Sequence, residues 1–363
     1  MAAKQIVFNG RFLQRSVTGV ERFAVEILRE VNQRIAAGDI ADLCPVIAVP
    51  RGTQPKEQFS HIPFVEVGRF QGYVWEQIEL PFFCAGKPLL NLCNTAPVLY
   101  KKQLVVIHDA AVYSIPQAFS ASFKTVYKVM HQLLAWRGVP VATVSAFSKH
   151  DLIARFAFEP QLLQVVTEGA EHVLRHLPDH GILSSHGLEP QRYVLAVSSM
   201  AAHKNFKLVL EALAQLRDAP FQVAIAGGAN PAVFGDVAIK GSDQVRWLGY
   251  VSDAQLRALY ENALCFVFPS VYEGFGIPPL EAMTCGCPVL ASSAASIPEV
   301  CADAALYFDP KDATALAHAL QRIASDDALG RDLSARGRQR AQQFSWSKAT
   351  TELLSSFSRV WSR

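Results

Sequence analysis

Two carboxylates, Glu273 and Glu281, stand with seven residues between them, and the stretch that separates them opens Gly274-Phe275-Gly276. Glycine leaves backbone N–H groups open to a ligand with no Cβ in the way. Pro278 and Pro279 suit the first turn of a helix, where a missing N–H costs little, and the spacing predicts a helix over 279–284 with Glu281 in its first turn. A helix N-terminus reached through a glycine loop is an anion site. Carboxylates accept hydrogen bonds from sugar hydroxyls. Together these groups suit a ligand that carries both a phosphate and a sugar. Taken singly, each acid has a plainer reading: Glu281 complements the helix dipole, and Glu273 is a solvated loop residue.

The elements around this stretch are clear. The apolar run Cys265–Phe268 reads as a buried strand ended by Pro269 and Ser270. Cys285-Gly286 and Pro288 stop the helix, and residues 289–291 open the next strand. The run EGFGIPPLEAM, followed by GCPVLAS and SIPEV, resembles the retaining glycosyltransferases of family four, whose signature is the same Glu, seven residues, Glu around a Gly-Phe-Gly core. The resemblance implies an α/β protein of the GT-B fold: two Rossmann-like doubly wound domains facing across a cleft, with the nucleotide-sugar donor bound mainly by the C-terminal one. It places Glu273, Gly274, Phe275, Gly276, Ile277 and Glu281 at the donor.

Composition agrees with a large folded protein. The chain has 363 residues, 50% of them hydrophobic and 18% charged, enough for two ordinary domains and a sizeable core. Net charge is +2 and no Lys/Arg run stands out, so nucleic acid is not an expected partner. Seven scattered cysteines read as reduced thiols, with no second pair beside Cys285 and Cys287 to make a zinc site. No apolar run approaches the ~20 residues of a membrane helix. The expectation is a cytoplasmic protein, with a peripheral contact at the inner membrane face among its partners. The domains are expected at 1–180 (acceptor side) and 190–345 (nucleotide-sugar side), with a Pro/Gly/Ser-rich linker over 177–190 and a helix over 346–363 that, by the GT-B resemblance, crosses back to the first domain.

Along the chain, residues 5–9 form a first strand, and Thr18 and Glu21 make a capping-box pattern before a helix. Gly19 does nothing for helix stability; Thr18-Gly19-Val20-Glu21 is similar to the family's glycine-containing donor loop. Residues 51–70 read as irregular, and 73–80 as a helix carrying Trp75. His108-Asp109 ends a buried strand over 104–107, on the side where open α/β sheets bind ligands. A lone His is more often structural, but the segment His108 to Tyr113 resembles one in which the His faces the donor sugar, with Asp109 orienting the ring. Ser148 reads as the N-cap of a helix over 151–156, with Ser145 beside a ligand as the second reading.

In the second domain Lys204 precedes a helix carrying Phe206, Val209, Leu210 and Leu213. A cation there is disfavoured by the dipole unless an anion sits nearby. The resemblance assigns this Lys to the donor diphosphate. Most members of the family it resembles carry an Arg just before this Lys or earlier in the turn, and this chain has His203 and Ser199 there. Tyr250 and Val251, after Gly249, resemble the loop that lies against the nucleotide base. Ser296 and Glu299 have capping-box spacing.

The function implied is a retaining hexosyltransferase, with His108, Lys204 and Glu273 as the catalytic group, a GDP- or UDP-linked donor, and a glycan or lipid-linked glycan acceptor. Asn9-Gly10-Arg11-Phe12 and the His-Asp segment are similar to bacterial polysaccharide mannosyltransferases, which puts GDP-mannose first. No cofactor and no metal are expected, since no Asp-x-Asp triplet or His/Cys set occurs. Within the fold, an epimerase, a phosphorylase and a catalytically weak sugar-nucleotide binder remain as alternatives. A nicotinamide dehydrogenase would need Gly-x-Gly-x-x-Gly, which the chain lacks.

Overall fold

The computed structural model describes residues 4–15, 17–40, 42–197, 201–216, 219–227 and 244–361. They divide into two units, Met1–Glu168 with Trp346–Arg363, and Gly169–Ser345.

The first unit is built on seven parallel strands: β1 Lys4–Asn9, β2 Leu43–Pro50, β3 Phe64–Val67, β4 Leu89–Asn91, β5 Gln103–Val106, β6 Val141–Thr143 and β7 Leu163–Val165, in the order β3-β2-β1-β4-β5-β6-β7. Ile6, Val7 and Phe8 of β1 and Ile47, Ala48 and Val49 of β2 are all buried. Such unbroken apolar runs mark strands covered on both faces. Val7 sits between Val46 of β2 and Leu89 of β4, so the chain leaves β1 to one side for β2 and β3 and to the other for β4 onward. This reversal opens a crevice beyond the carboxyl ends of β1 and β4.

The helix Gly19–Ala37 buries Phe23, Ala24, Ile27, Leu28 and Val31, the spacing of one helical face. The C-terminal helix Trp346–Trp361 packs within the same unit. Trp346 stands edge-on to Phe23, and Arg34 Nη2 donates to the Ser347 carbonyl (2.6 Å) and Thr351 Oγ1 (2.8 Å).

The second unit repeats the plan with six parallel strands: β8 Tyr193–Val197, β9 Gln222–Ala226, β10 Val245–Gly249, β11 Cys265–Phe268, β12 Val289–Ser292 and β13 Ala305–Phe308, in the order β10-β9-β8-β11-β12-β13. Here the reversal lies between β8 and β11. Both are doubly wound Rossmann-like sheets.

Several sequence expectations are corrected. Residues 51–70 are not wholly irregular, because Phe64–Val67 pairs with β2. The stretch 177–190 is not a linker: it contains the helix Gly181–Ser185, and Ile182, Leu183 and Leu188 are buried in the second unit's core. The division therefore falls after Glu168, not at 180–190. Ser148 is not the N-cap. Ser145 is, its Oγ accepting from Ser148 N at 2.9 Å, and the helix runs Ala146–Phe156; a hydroxyl three residues before a free N–H has the better geometry.

Candidate active site

The glycine loop follows β11, at the second unit's switch point. Gly274, Phe275, Gly276 and Ile277 are buried, and Glu273 is partly exposed. Gly276 has φ +115°, which side-chain-bearing residues rarely adopt, and it caps the helix Ile277–Thr284. The helix starts two residues earlier than its prolines suggest, so Glu281 lies in the second turn and not the first. It is too far along to complement the dipole as a first-turn acid.

Lys204 closes a 3₁₀ turn, Ala202–Lys204, after β8. Asn205 follows at φ +57° and donates to the carbonyls of Pro269 (3.1 Å) and Pro310 (2.8 Å). The turn is thus tied to the end of β11, and Lys204 Nζ reaches both oxygens of Glu273, at 2.7 and 3.0 Å. Two residues chosen separately from the sequence form one ion pair beside the glycine loop. His203 adds no charge: burial, then the Lys204 ammonium, push its imidazole down despite Glu273, leaving it neutral near pH 7. Lys204 is therefore the one cation that the turn over 198–205 carries.

Glu281 is buried and engaged on both oxygens. His172 Nε2 lies 2.7 Å from Oε1, and the Tyr260 hydroxyl donates to Oε2 at 3.1 Å. Ser296 stands at the N-cap position of the helix Ile297–Cys301, but its side chain makes no capping bond. Its Oγ serves the carbonyls of Glu273 (3.0 Å) and Phe275 (2.7 Å), locking the loop from beneath. The capping-box reading of Ser296 and Glu299 fails because Ser296 is already helical (φ −77°, ψ −9°) and its hydroxyl is committed to the loop.

In the first unit His108 stands beyond the carboxyl end of β5, 4% exposed. Its Nε2 faces the Leu92 carbonyl at 3.0 Å and its Nδ1 the Glu168 carboxylate at 3.4 Å, while Phe23 meets the ring edge-on. Acceptors on both ring nitrogens favour the doubly protonated ring. Burial alone would lower its pKa, but the hydrogen bond and charge of Glu168, the Leu92 carbonyl and the charge of Asp109 outweigh it and hold the group above its ordinary value. Asp109 accepts from Ala111 N at 2.8 Å; the nearer orienting carboxylate is Glu168, which the sequence did not single out.

The remaining expected donor contacts are looser. Gly19 is the exposed first residue of its helix. Tyr250 is 88% exposed, and Val251 packs partly buried on the second unit's core. Ser199 lies outside the described residues. Among the described residues no cluster of three His, Cys, Asp or Glu is placed to hold a metal ion.

Two doubly wound parallel sheets, one ending in a glycine loop with a Lys–Glu pair, are the construction of a GT-B glycosyltransferase. Residues 183–340 match the family model described as "Glycosyl transferases group 1". The chain is 32% identical over 275 residues to O-antigen chain mannosyltransferase B of Escherichia coli, covering 72% of this chain and 71% of that protein. In structure it is similar to sucrose-phosphate synthase of Thermosynechococcus elongatus (TM-score 0.75, 19% identity, 99% of each chain). It is also similar to HepE of Anabaena, crystallised with UDP and glucose (TM-score 0.76, 17% identity, 98% of this chain and 100% of that one). The chain belongs to the group 1 glycosyl transferases and resembles bacterial mannosyltransferases. An epimerase is not favoured.

Proposed function

We propose that the protein is a retaining hexosyltransferase that moves mannose from a nucleotide-diphosphate sugar, GDP-mannose first, to a glycan or lipid-linked glycan. The observation that carries this reading is the Lys204–Glu273 pair at the glycine loop. A departing diphosphate gathers negative charge, and preorganised donors aimed at it lower the barrier. Lys204 and the backbone of 274–277 supply them at the start of an eight-residue helix. Glu273 then has two roles: it holds Lys204 while the site is empty, and it takes a sugar hydroxyl once the diphosphate competes for the ammonium. Glu281, oriented by His172 and Tyr260, serves the ribose. His108, held by Glu168, serves the donor sugar. The mannosyltransferase relative supports mannose, and the UDP seen in HepE keeps UDP-sugars in the comparison.

The test is a panel of GDP- and UDP-sugars read by thermal shift, since a ligand that binds only the native state raises stability, followed by transfer assays in EDTA. GDP-mannose is expected to stabilise most, and transfer is expected to survive the chelator with retention at the anomeric carbon. A uniform lack of shift, or transfer restored only by Mn²⁺, would remove this reading or its metal independence respectively.

A peripheral membrane contact is the second element of the proposal. No helix among the described residues is long and apolar enough to cross a membrane. The helix Ala121–Trp136 instead exposes Val126, Val129, Leu133 and Trp136, the last 79% exposed. Lys124, Lys128 and Arg137 lie in or next to that helix, and the sequence has no Asp or Glu between Asp109 and Asp151. An apolar stripe bordered by cations suits an anionic lipid surface.

A further inference from the structure

The His108 ring is held by Leu92 and Glu168, but its main chain is held by a residue that no motif singles out. The segment over 92–95, just after β4, spends all four residues on polar contacts. The Leu92 carbonyl meets His108 Nε2, the Cys93 thiol donates to the Val20 carbonyl at 3.7 Å, and Thr95 Oγ1 accepts from Arg11 Nη2 at 2.7 Å. Asn94 stands among them. Its N donates to the Val106 carbonyl (3.0 Å), and its Oδ1 accepts from His108 N (2.7 Å). One residue thus grips the end of β5 on both sides of Ile107. Asn94 does this at φ +63°, a left-handed backbone that Asn tolerates better than most side chains. Such backbone persists where the surroundings over-determine it.

The carbonyl of Asn94 is taken in turn by His131. This residue lies in the helix Ala121–Trp136, 1% exposed, with Nε2 2.8 Å from that carbonyl. A carbonyl only accepts, so Nε2 carries the hydrogen. Burial pushes the imidazole down to about 4 against the pull of the Asn94 carbonyl, and the ring is neutral at pH 7. Its Nδ1 is then a lone pair, buried and without a partner. Tyr127 and Phe156 meet the ring edge-on. A phenylalanine would fill that aromatic setting and leave no buried nitrogen unsatisfied. What the histidine adds is the bond to Asn94.

We propose that Asn94 and His131 are positioning residues for His108: Asn94 fixes the main chain on either side of Ile107, and His131 fixes Asn94. The His108 ring then meets the Leu92 carbonyl and Glu168 together, with Glu168 and Asp109 the charged groups that act on it. Loosening either residue lets the ring drift from its acceptors, so the imidazolium loses its support. The consequence for turnover rests on the reading of His108 as a donor-sugar residue; the consequence for the ring does not.

The readout is the ring itself, titrated by carbon-13 NMR in protein labelled at histidine, its signal assigned by loss in His108→Gln. Asn94→Gly keeps the left-handed backbone and loses the acceptor. In it the His108 midpoint is expected to fall by about half a pH unit, and kcat by about tenfold with KM little changed. Asn94→Asp keeps an acceptor oxygen and is expected to restore both. His131→Phe is expected to melt like the wild type, yet to move midpoint and kcat in the same direction. A pair that merely stabilised the fold would lower the melt and leave the midpoint alone. An unchanged midpoint in folded Asn94→Gly, or in His131→Phe should the first be unfolded, overturns the proposal. So does an Asn94→Asp as impaired as Asn94→Gly, which would assign the effect to the amide NH₂. An unchanged kcat in Asn94→Gly where His108→Ala is inactive overturns it as well. Transfer absent in the wild type, or unimpaired in His108→Ala, counts against the transferase reading or the role of His108 in it; the shifted midpoint then still supports the positioning, because the titration needs no donor.

Discussion

Lys204 and Glu273 are 69 residues apart in sequence and share a two-point ion pair. Both are mostly buried, so neither is merely a solvated surface charge. A charge-assisted hydrogen bond is worth roughly 1.5–3 kcal/mol, about ten- to a hundredfold in affinity. Lys204→Ala is expected to weaken GDP binding by that factor in calorimetry, and an unchanged Kd would reduce the Lys to a tether for Glu273. Glu273→Gln is expected to lower kcat chiefly, and Glu281→Gln chiefly nucleotide affinity. His108 gives a prediction in pH. Its folded pKa lies above the unfolded value, so its contribution to stability is complete below the unfolded pKa and is lost as pH rises through the folded one. Glu168→Gln should therefore cost more denaturant resistance at pH 6 than at pH 9. An equal loss at both pH values would mean that the imidazole is neutral throughout. The acids of the loop were legible because glycine, proline and carboxylate spacing is local. Glu168, His172, Tyr260 and Ser296 were not: each reaches its partner from a distant segment, His172 from 109 residues away.

At the scale of elements, strand runs were readable where both faces are buried, as in Cys265–Phe268. The short strand Phe64–Val67 was missed because only one of its four positions, Val67, is buried. The π-helical turn at Trp75–Glu79 was also hidden, since one extra residue in a helix leaves no compositional mark. The glycine loop is itself an element, held by Ser296 through two carbonyls. Ser296→Ala should cost about 1 kcal/mol of stability and, by loosening Glu273 and the amides after it, several-fold in kcat/KM. If kcat/KM is intact while the melt falls, the loop is positioned by its glycines and prolines alone.

For the whole molecule, the two-sheet plan was legible from one motif and from length, but the division was not. The stretch 177–190 looks like a linker by composition, and only packing shows Ile182, Leu183 and Leu188 to be core. In the helix Ala121–Trp136, Tyr127, Met130 and Leu134 are buried while Val129 and Trp136 on another face are exposed, a difference that helical spacing alone does not fix. Vesicles rich in anionic lipid should sediment the wild type more strongly than Val129→Asp or Trp136→Ser, and the gain should fade with salt. Equal sedimentation would remove this stripe as a membrane contact.

The helix Trp346–Trp361 belongs to the first unit, although the whole second unit intervenes in the chain. As the ribosome delivers the protein, the second unit is finished as an uninterrupted stretch. The first, begun earlier, must wait with Phe23 lacking the Trp346 ring that later covers it. The later-made helix therefore closes the earlier-made sheet. Premature termination before residue 346 would strip cover from the layer that also holds His108 while leaving the glycine loop's own unit whole. Nascent chains should then show the order inverted, with the later-synthesised unit protected from protease before the earlier one.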